Sequence, residues 1–256
     1  MLPPSLRTRL EKTATDNGFH IRLSFENDWI AFASSQTPLR LWLSADAEKR
    51  LLVAFSQANI ADELPEHHIQ LHPPLPPGAK AMLFAPDIPA LDRLLRRMFQ
   101  LSITLPDELL HLFERQTANL PKTTEVERLV VQRVGQELFR AALRNYWEDR
   151  CAISGLGVPE LLRASHIKPW ADCETDAERL DVYNGLLLAP QFDAAFDLGF
   201  ITINDAGEVL VGAVLPDEAR SLLGFDRALR VQGALRDEHR AYLAWHRERV
   251  FRKDVR

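Results

Sequence analysis

The chain has few cysteines and no long apolar run, and both shortages narrow its class. Only Cys151 and Cys173 occur in 256 residues, which excludes a disulfide scaffold and a zinc knuckle of four cysteines. The longest apolar runs fall well short of the ~18–20 residues that a membrane helix needs. The opening segment, MLPPSLRTRLEK, lacks the apolar core of a signal peptide. We therefore expect a cytoplasmic protein that has no membrane partner.

Basic side chains are also fewer than acidic ones, with 31 Lys and Arg against 36 Asp and Glu. The formal net charge is −5 at pH 7, which argues against a protein that coats nucleic acid through bulk electrostatics. A local basic groove stays compatible with this balance, because phosphate contacts need only a few well-placed arginines or lysines. The length fits one large domain or two modest ones, and 46% apolar residues are enough for a core.

Sequence patterns predict an α+β protein with two domains. Residues 1–120 mix strand-like and helix-like segments, which predicts a separate N-terminal domain with a mixed α/β fold. In this region the predicted strands are Phe19–Phe25, Trp29–Ser34 and Leu39–Leu43, and the predicted helices are Ala45–Asn59 and Ala90–Leu101. We place the boundary near Leu120, which leaves residues 121–256 as the second domain.

A long helix, Thr124–Trp147, is predicted to open the second domain. Thr124 and Glu127 have the spacing of a capping box, in which each side chain bonds a free backbone N–H at the helix start. The apolar residues expected to be buried are Leu129, Val130, Val134, Leu138 and Ala141 or Ala142. Another face carries Arg133, Gln136, Arg140 and Arg144. This face is either simply solvated or a stripe that contacts DNA phosphates.

The side chains with the most chemical meaning lie between Cys151 and Ile203. The predicted elements are strands over Cys151–Ser154, Leu161–Ile167 and Tyr183–Leu188, followed by a helix over Gln191–Leu198. His166 falls near the end of the second strand, and Asn184 opens the third. Asp193 and Asp197 lie four residues apart, so they share one helical face. Together these side chains can hold a divalent metal, activate a water and position a phosphodiester.

These residues resemble the HNH endonucleases, which have the ββα-metal fold, and in particular a bacterial subgroup of them. The resemblance is carried by SHIKPW, NGLLLAP and DAAFDLG, with GQELFR and CAISG upstream and HRAYLAWHRERVF downstream. It covers about residues 124–251. It implies a C-terminal ββα-metal (HNH) nuclease domain with flanking helices, whose substrate is DNA.

The resemblance also assigns roles by position. His166 matches the general base that takes a proton from the attacking water, and Asn184 matches the residue that ties down the loop. Asp193 and Asp197 match metal-ligand positions, and hard carboxylates favour Mg²⁺ or Mn²⁺ as the single divalent ion. Ser165 departs from the family pattern, because many members carry a metal-binding aspartate or histidine just before the base.

Each of these residues also has a purely structural interpretation. A lone histidine is more often a satisfied structural residue than a base. Asp193 can complement the dipole at the start of a helix, and the Asp-Leu-Gly that begins at Asp197 is an ordinary helix ending. Lys168 can contact a phosphate or remain a solvated lysine.

Two functions are compatible with this sequence. The first is a metal-dependent DNA endonuclease in a bacterial restriction or defence system, for which a homodimer would supply two active sites. Trp29, Phe32 and Trp42 either fill the N-terminal core or line a pocket for a modified base, as in a modification-dependent enzyme. The second is a catalytically weak or inactive HNH-fold module that binds DNA.

Overall fold

The structure is a computed structural model that describes residues 2–23, 28–64, 74–121 and 123–253. The chain folds into two compact units, Met1–Ile103 and Thr104–Arg256. This division lies earlier than the boundary predicted near Leu120, and the separate N-terminal domain stays a prediction. Among the described residues, no helix combines the length and apolarity that crossing a bilayer requires.

The first unit is built on a five-stranded antiparallel sheet in which each strand pairs with the next along the chain. Its strands are Ile21–Leu23 (β1), Ile30–Ala33 (β2), Leu41–Ala45 (β3), Leu51–Phe55 (β4) and Ala81–Ala85 (β5). Its helices are Pro4–Asp16 (α1), Asn59–Asp62 (α2) and Ile88–Ser102 (α3). Helix α1 packs against α3 and β2, and α3 packs against β5. Of the strand predicted over Phe19–Phe25, Ser24 and Phe25 lie outside the described residues.

The helix predicted over Ala45–Asn59 is wrong, because the middle of this segment forms strand β4. This strand pairs with β3 on one edge and β5 on the other, and all five of its residues are buried. A strand buried on both faces has a continuous apolar run without alternation, and periodicity cannot separate such a run from a buried helix.

Two of the three aromatic residues considered for a base pocket are packed inside the first unit. Phe32 is 3% exposed and Trp42 is 4% exposed. Trp42 shares a small cluster with Ala31, Ala54 and Met82, and Trp29 packs against its edge. This burial favours the core-filling interpretation over an open pocket for a modified base.

The second unit combines six α-helices and two hairpins among its described residues. The helices are Pro106–Thr117 (α4), Glu125–Tyr146 (α5), Asp176–Leu180 (α6), Pro190–Asp197 (α7), Asp217–Leu223 (α8) and Asp237–Arg249 (α9). The strands are Arg163–His166 (β6), Gly185–Leu188 (β7), Ile201–Ile203 (β8) and Val209–Val211 (β9). Strands β6 and β7 pair antiparallel, as do β8 and β9. Helix α7 follows β7 directly, so the last two of the three predicted strands and the predicted helix occur in the predicted order.

Helix α5 begins as predicted, with Thr124 and Glu127 forming the capping box. The predicted buried stripe is wrong in the first half of the helix, because Leu129 is 51% exposed and Val130 is 45% exposed, whereas the predicted burial of Ala142 is confirmed. Besides Ala142, the buried residues of the helix are Gly135, Phe139, Leu143 and Tyr146. Ring contacts determine this face: a Cβ on Gly135 would lie 2.6 Å from Trp170 Cη2. The spacing of aliphatic residues along the helix does not predict contacts with aromatic rings of other elements.

The strand predicted over Cys151–Ser154 is a buried turn. The Cys151 sulfur accepts hydrogen bonds from the backbone N–H groups of Ser154 and Ala189, at 3.4 and 3.2 Å. Ala152 N donates to Leu187 O at 2.7 Å. The turn is therefore fixed by a side-chain acceptor and lies against the end of β7.

Candidate active site

The candidate site is built around the hairpin of β6 and β7. Its register pairs Ser165 with Leu186 and His166 with Gly185. Successive side chains on a strand point to opposite faces, so Ser165 meets α7 and His166 meets α5. Gly185 leaves room on the α5 side, because a Cβ there would lie 2.6 Å from Phe139 Cζ.

His166 is held by one hydrogen bond and two ring contacts. Its Nε2 lies 2.9 Å from the carbonyl oxygen of Arg179. A carbonyl oxygen only accepts, so Nε2 carries the proton and Nδ1 keeps the lone pair. The imidazole stacks on Phe139 with centroids 3.8 Å apart and meets the edge of Trp170 at 5.6 Å. Burial lowers the pKa of His166, although the bond to Arg179 opposes this shift.

The side chain of Arg179 fixes the loop whose backbone holds His166. Its guanidinium donates to the carbonyl oxygens of Trp170, at 3.3 Å, and Cys173. It also bonds Asp176 Oδ1 at 3.0 Å and lies over the Trp170 ring, 5.8 Å from its centroid. One residue thus fixes the loop through its side chain and orients the imidazole through its backbone.

Asn184 is fully buried and ties the same loop to the hairpin. Its Oδ1 accepts from Lys168 N at 2.8 Å, and its Nδ2 donates to the carbonyl oxygens of Lys168 and Glu178, at 3.2 and 3.1 Å. Nδ2 also lies 3.4 Å from Cys173 Sγ. Asn184 therefore acts on the position of the loop, and its part in catalysis stays a prediction.

The four predicted DNA contacts differ in what surrounds them. Lys168 bonds both carboxylate oxygens of Glu178 at 3.0 Å, and its side chain is only 12% exposed. This ion pair disfavours the predicted phosphate contact. Arg144 Nε pairs with Asp149 Oδ1 at 2.6 Å. Arg133 is exposed and Arg140 is half-buried, so these two remain the stronger candidates.

Asp193 and Asp197 face the hairpin from α7, with the Ser165 hydroxyl between them. Ser165 Oγ donates to Asp197 Oδ1 at 3.0 Å. Burial raises the pKa of Asp193, while the Ser165 hydroxyl and the charge of Arg163 oppose this rise. Burial and the charge of Asp193 raise the pKa of Asp197, which the same hydroxyl opposes.

This donor set fits a hard divalent cation. Carboxylate oxygens are the ligands that Mg²⁺ and Mn²⁺ prefer. Asp193 and Asp197 also lie close enough for the charge of one to shift the pKa of the other. Within the described ranges, no group of three or more His, Cys, Asp and Glu side chains is arranged to hold a metal ion. Asp193 and Asp197 stay the predicted ligands of the ion that the family match implies.

A pocket of about 340 Å³ joins the two sides of the site. Ser165, His166 and Asp197 line it, and His246 and Val250 form another part of its wall. The pocket brings a base candidate and a metal-ligand candidate to one cavity.

His246 of α9 supports the end of α7. Its Nε2 lies 3.1 Å from the carbonyl oxygen of Phe196, and its Nδ1 lies 2.9 Å from Thr202 Oγ1. Because the carbonyl accepts, Thr202 is the donor to Nδ1. Burial lowers the pKa of His246 to about 4, so the ring is neutral near pH 7. The bond from His246 therefore fixes the backbone of Phe196, the residue directly before Asp197.

Sequence reasoning missed three residues that belong to this site. Phe139 lies under His166, and Arg179 supplies the carbonyl that orients it. Arg163 places a positive charge near Asp193. The sequence could have indicated only Arg163. It lies two residues before Ser165, and residues two apart on a strand share a face; Ser165 faces α7. The partners of Phe139 and Arg179 depend on tertiary packing.

Residues 151–204 match the family model described as HNH endonuclease. This match confirms the resemblance over the segment that contains His166, Asn184, Asp193 and Asp197. A search of curated proteins finds no match to the chain. The family match points to a nuclease-type function, a DNA substrate and, as is general for HNH nucleases, a divalent metal.

Proposed function

We propose that the protein is a metal-dependent DNA endonuclease that hydrolyses phosphodiester bonds, with His166 as its general base. One observation carries the proposal. The bond from His166 Nε2 to the Arg179 carbonyl leaves Nδ1 basic, and the imidazole and Asp197 line the same pocket. A base beside a carboxylate that can bind a metal is the minimum that this hydrolysis requires.

In the proposed reaction His166 Nδ1 takes a proton from water, and the resulting hydroxide attacks phosphorus. Phe139 and Trp170 restrict the tilt of the imidazole, and the Arg179 carbonyl keeps the proton on Nε2. The lowered pKa of His166 keeps Nδ1 unprotonated near neutral pH. A positioned general base contributes about 10²–10⁴ in rate.

Asp193 and Asp197 would hold the divalent ion. When bound, it supplies positive charge that stabilises the transition state and the leaving 3′ oxygen. The products of this cleavage carry a 5′ phosphate and a 3′ hydroxyl. Arg163, near Asp193, can attract the phosphate of the substrate.

The resemblance to a bacterial subgroup of HNH nucleases supports a role in restriction or defence, and a homodimer would allow cleavage of both strands. The alternative is an HNH-fold module that binds DNA without cutting it. Ser165 favours that alternative, because it stands where many family members carry a metal ligand. The two functions make opposite predictions for a cleavage assay.

Plasmid nicking separates them. Pure wild-type protein is incubated with unmodified, methylated and hydroxymethylated plasmid in Mg²⁺ or in Mn²⁺, alongside His166→Ala. We expect metal-dependent nicking by the wild type and a loss of about 10²-fold or more in the variant. No cleavage of any plasmid by the wild type would refute the nuclease, and equal cleavage by His166→Ala would refute the assigned base.

A further inference from the structure

The chain directly after α9, Val250–Lys253, forms a strap that lies against the turn after α7. Arg252 N donates to the carbonyl oxygen of Gly199 at 2.9 Å. Gly199 also gives the strap room, because a Cβ there would collide with the carbonyl oxygen of Val250. Since Gly199 is the second residue after Asp197, these contacts fix the strap relative to a predicted metal ligand.

The first residue of the strap is part of the wall of the candidate site. Val250 lines the pocket of about 340 Å³ together with His166 and Asp197. Arg252 follows two residues later, and consecutive Cα atoms are about 3.8 Å apart. The Cα atoms of Val250 and Arg252 are therefore at most about 8 Å apart, which brings the long side chain of Arg252 within reach of a DNA backbone that enters the pocket.

The side chain of Arg252 is held in place by an aromatic ring. Its guanidinium lies over Phe200, 5.3 Å from the ring centroid, and Phe200 is the third residue after Asp197. The N–H donors of a guanidinium lie in its plane, so a ring against its face leaves these donors available to an anion. Arg252 is exposed, and solvent or a ligand can reach these donors.

Other cations around the site are already paired with carboxylates. Lys168 bonds Glu178 at 3.0 Å, and Arg247 of α9 bonds Asp205 Oδ1 at 2.7 Å. Among the residues that the structure describes, no carboxylate pairs with Arg252, whose side chain contacts the Phe200 ring instead. Arg252 therefore combines a fixed position at the edge of the pocket with a positive charge that the protein leaves uncompensated.

We propose that Arg252 binds a phosphate of the DNA backbone next to the scissile phosphodiester and acts as a positioning residue. This inference rests on the proposed function, which makes DNA the substrate of the pocket. A guanidinium suits this task, because its planar donors match the geometry of phosphate oxygens. A contact to a phosphate that does not react is equally strong before and during the reaction, so its loss should weaken binding rather than slow the chemical step.

The salt dependence of DNA binding tests the contact. Anisotropy titrations of mixed-sequence duplex DNA are made on a His166→Ala background, so that the DNA stays intact. We expect the added change Arg252→Gln to reduce the slope of log K against log salt by about 1, and to weaken binding by roughly tenfold at 0.1 M salt. Arg252→Lys keeps the charge and should recover most of the slope. An unchanged slope in Arg252→Gln overturns the proposal, as does an absence of DNA binding by the His166→Ala protein.

Arg240→Gln on the same background is the matched control. Arg240 lies on α9 ten residues before Val250, which is about 15 Å along the helix axis, and it pairs with Asp237 Oδ1 at 2.6 Å. The variant removes the same charge from the protein and should keep the slope of the His166→Ala protein. Equal falls in slope for both variants would indicate a general effect of net charge and overturn the assignment to Arg252.

Nicking kinetics with His166 in place test where on the strand Arg252 acts. In Arg252→Gln the loss should fall on KM, by about tenfold, rather than on kcat. A fall in kcat at unchanged KM would place Arg252 on the scissile phosphate itself and overturn the neighbouring position. A role confined to packing on Phe200 would give a lower melting temperature with the salt slope unchanged, and this result would also overturn the proposal.

Binding and cleavage distinguish this inference from the nuclease proposal. If the slope depends on Arg252 and no plasmid is nicked, the nuclease is refuted while the phosphate contact stands. If plasmid is nicked and Arg252→Gln keeps the full slope, the nuclease stands and the phosphate contact is refuted. If circular dichroism shows that Arg252→Gln is unfolded, Arg252→Met decides the question, because its flexible side chain can still pack on Phe200 without a charge.

Discussion

The imidazole of His246 stacks on the ring of Phe196, with centroids 3.9 Å apart and planes 10° from parallel. His166 stacks on Phe139 in nearly the same way, at 3.8 Å and 15°. The first pair fixes the end of α7, and the second fixes the candidate base on β6. Both sides of the candidate site therefore depend on a neutral histidine packed flat against phenylalanine.

The buried His246 should make the protein sensitive to acid. Its pKa is about 4 in the folded protein, against about 6.5 when unfolded. As pH falls from 6.5 towards 4, only the unfolded chain takes up this proton, so the free energy of unfolding falls by roughly 3 kcal/mol at most. Urea unfolding at several pH values should show a shallower pH slope in His246→Gln. The exposed His111→Gln should keep the wild-type slope, and an unchanged slope in His246→Gln would contradict the burial argument.

Gly185→Ala should destabilise the protein. The added methyl group would lie 2.6 Å from Phe139 Cζ and 2.8 Å from Leu143 Cδ1, and overpacking of this kind costs about 1–3 kcal/mol. It also displaces the ring beneath His166, so nicking should fall with stability. At Gly157 the nearest atom is the flexible Arg150 Nη1, at 3.3 Å. Gly157→Ala is therefore the control, and equal losses in both variants would count against the close contact.

Asn184→Ala should loosen the loop that holds His166. The change leaves the backbone N–H of Lys168 without its acceptor and removes the donor to the carbonyl oxygen of Glu178, at a cost of about 1–3 kcal/mol for each buried group left unsatisfied. Chemical denaturation should show this loss. Asn184→Asp can still accept from Lys168 N but cannot donate to a carbonyl, so it should restore only part of the stability and of the nicking. Full rescue by Asp would show that the donated bonds are unimportant.

The arginines of α5 can be separated by salt dependence. If Arg133 and Arg140 contact phosphates, each change to Ala should reduce the slope of log K against log salt by about 1. Arg144→Ala should leave the slope unchanged, because Arg144 pairs with Asp149, and should cost about 0.2–1 kcal/mol as an exposed ion pair. Anisotropy titrations of mixed-sequence duplex DNA on a His166→Ala background measure these slopes. Equal slopes in Arg133→Ala, Arg140→Ala and wild type would show that these two arginines do not contact DNA phosphates.

The sequence predicted the parts of the site that lie close together along the chain. The spacing of Asp193 and Asp197 on α7 and the capping box at Thr124 are local, and both are present in the structure. The contacts of Phe139 and Arg179 with His166 join separate elements, so no periodicity predicts them. The pattern of β4 predicts a helix for a related reason: pairing with β3 and β5 makes this segment a strand, and its own sequence does not record that pairing.

The residues that line the pocket beside His166 are synthesised at widely separated times. His246 and Val250 line the pocket with His166, and the chain just after them is held by a bond from Arg252 N to Gly199 O at 2.9 Å. A ribosome makes these residues long after His166. A nascent chain that already carries the base therefore lacks one wall of its cavity. We therefore expect the pocket beside His166 to be complete only after translation has passed Val250.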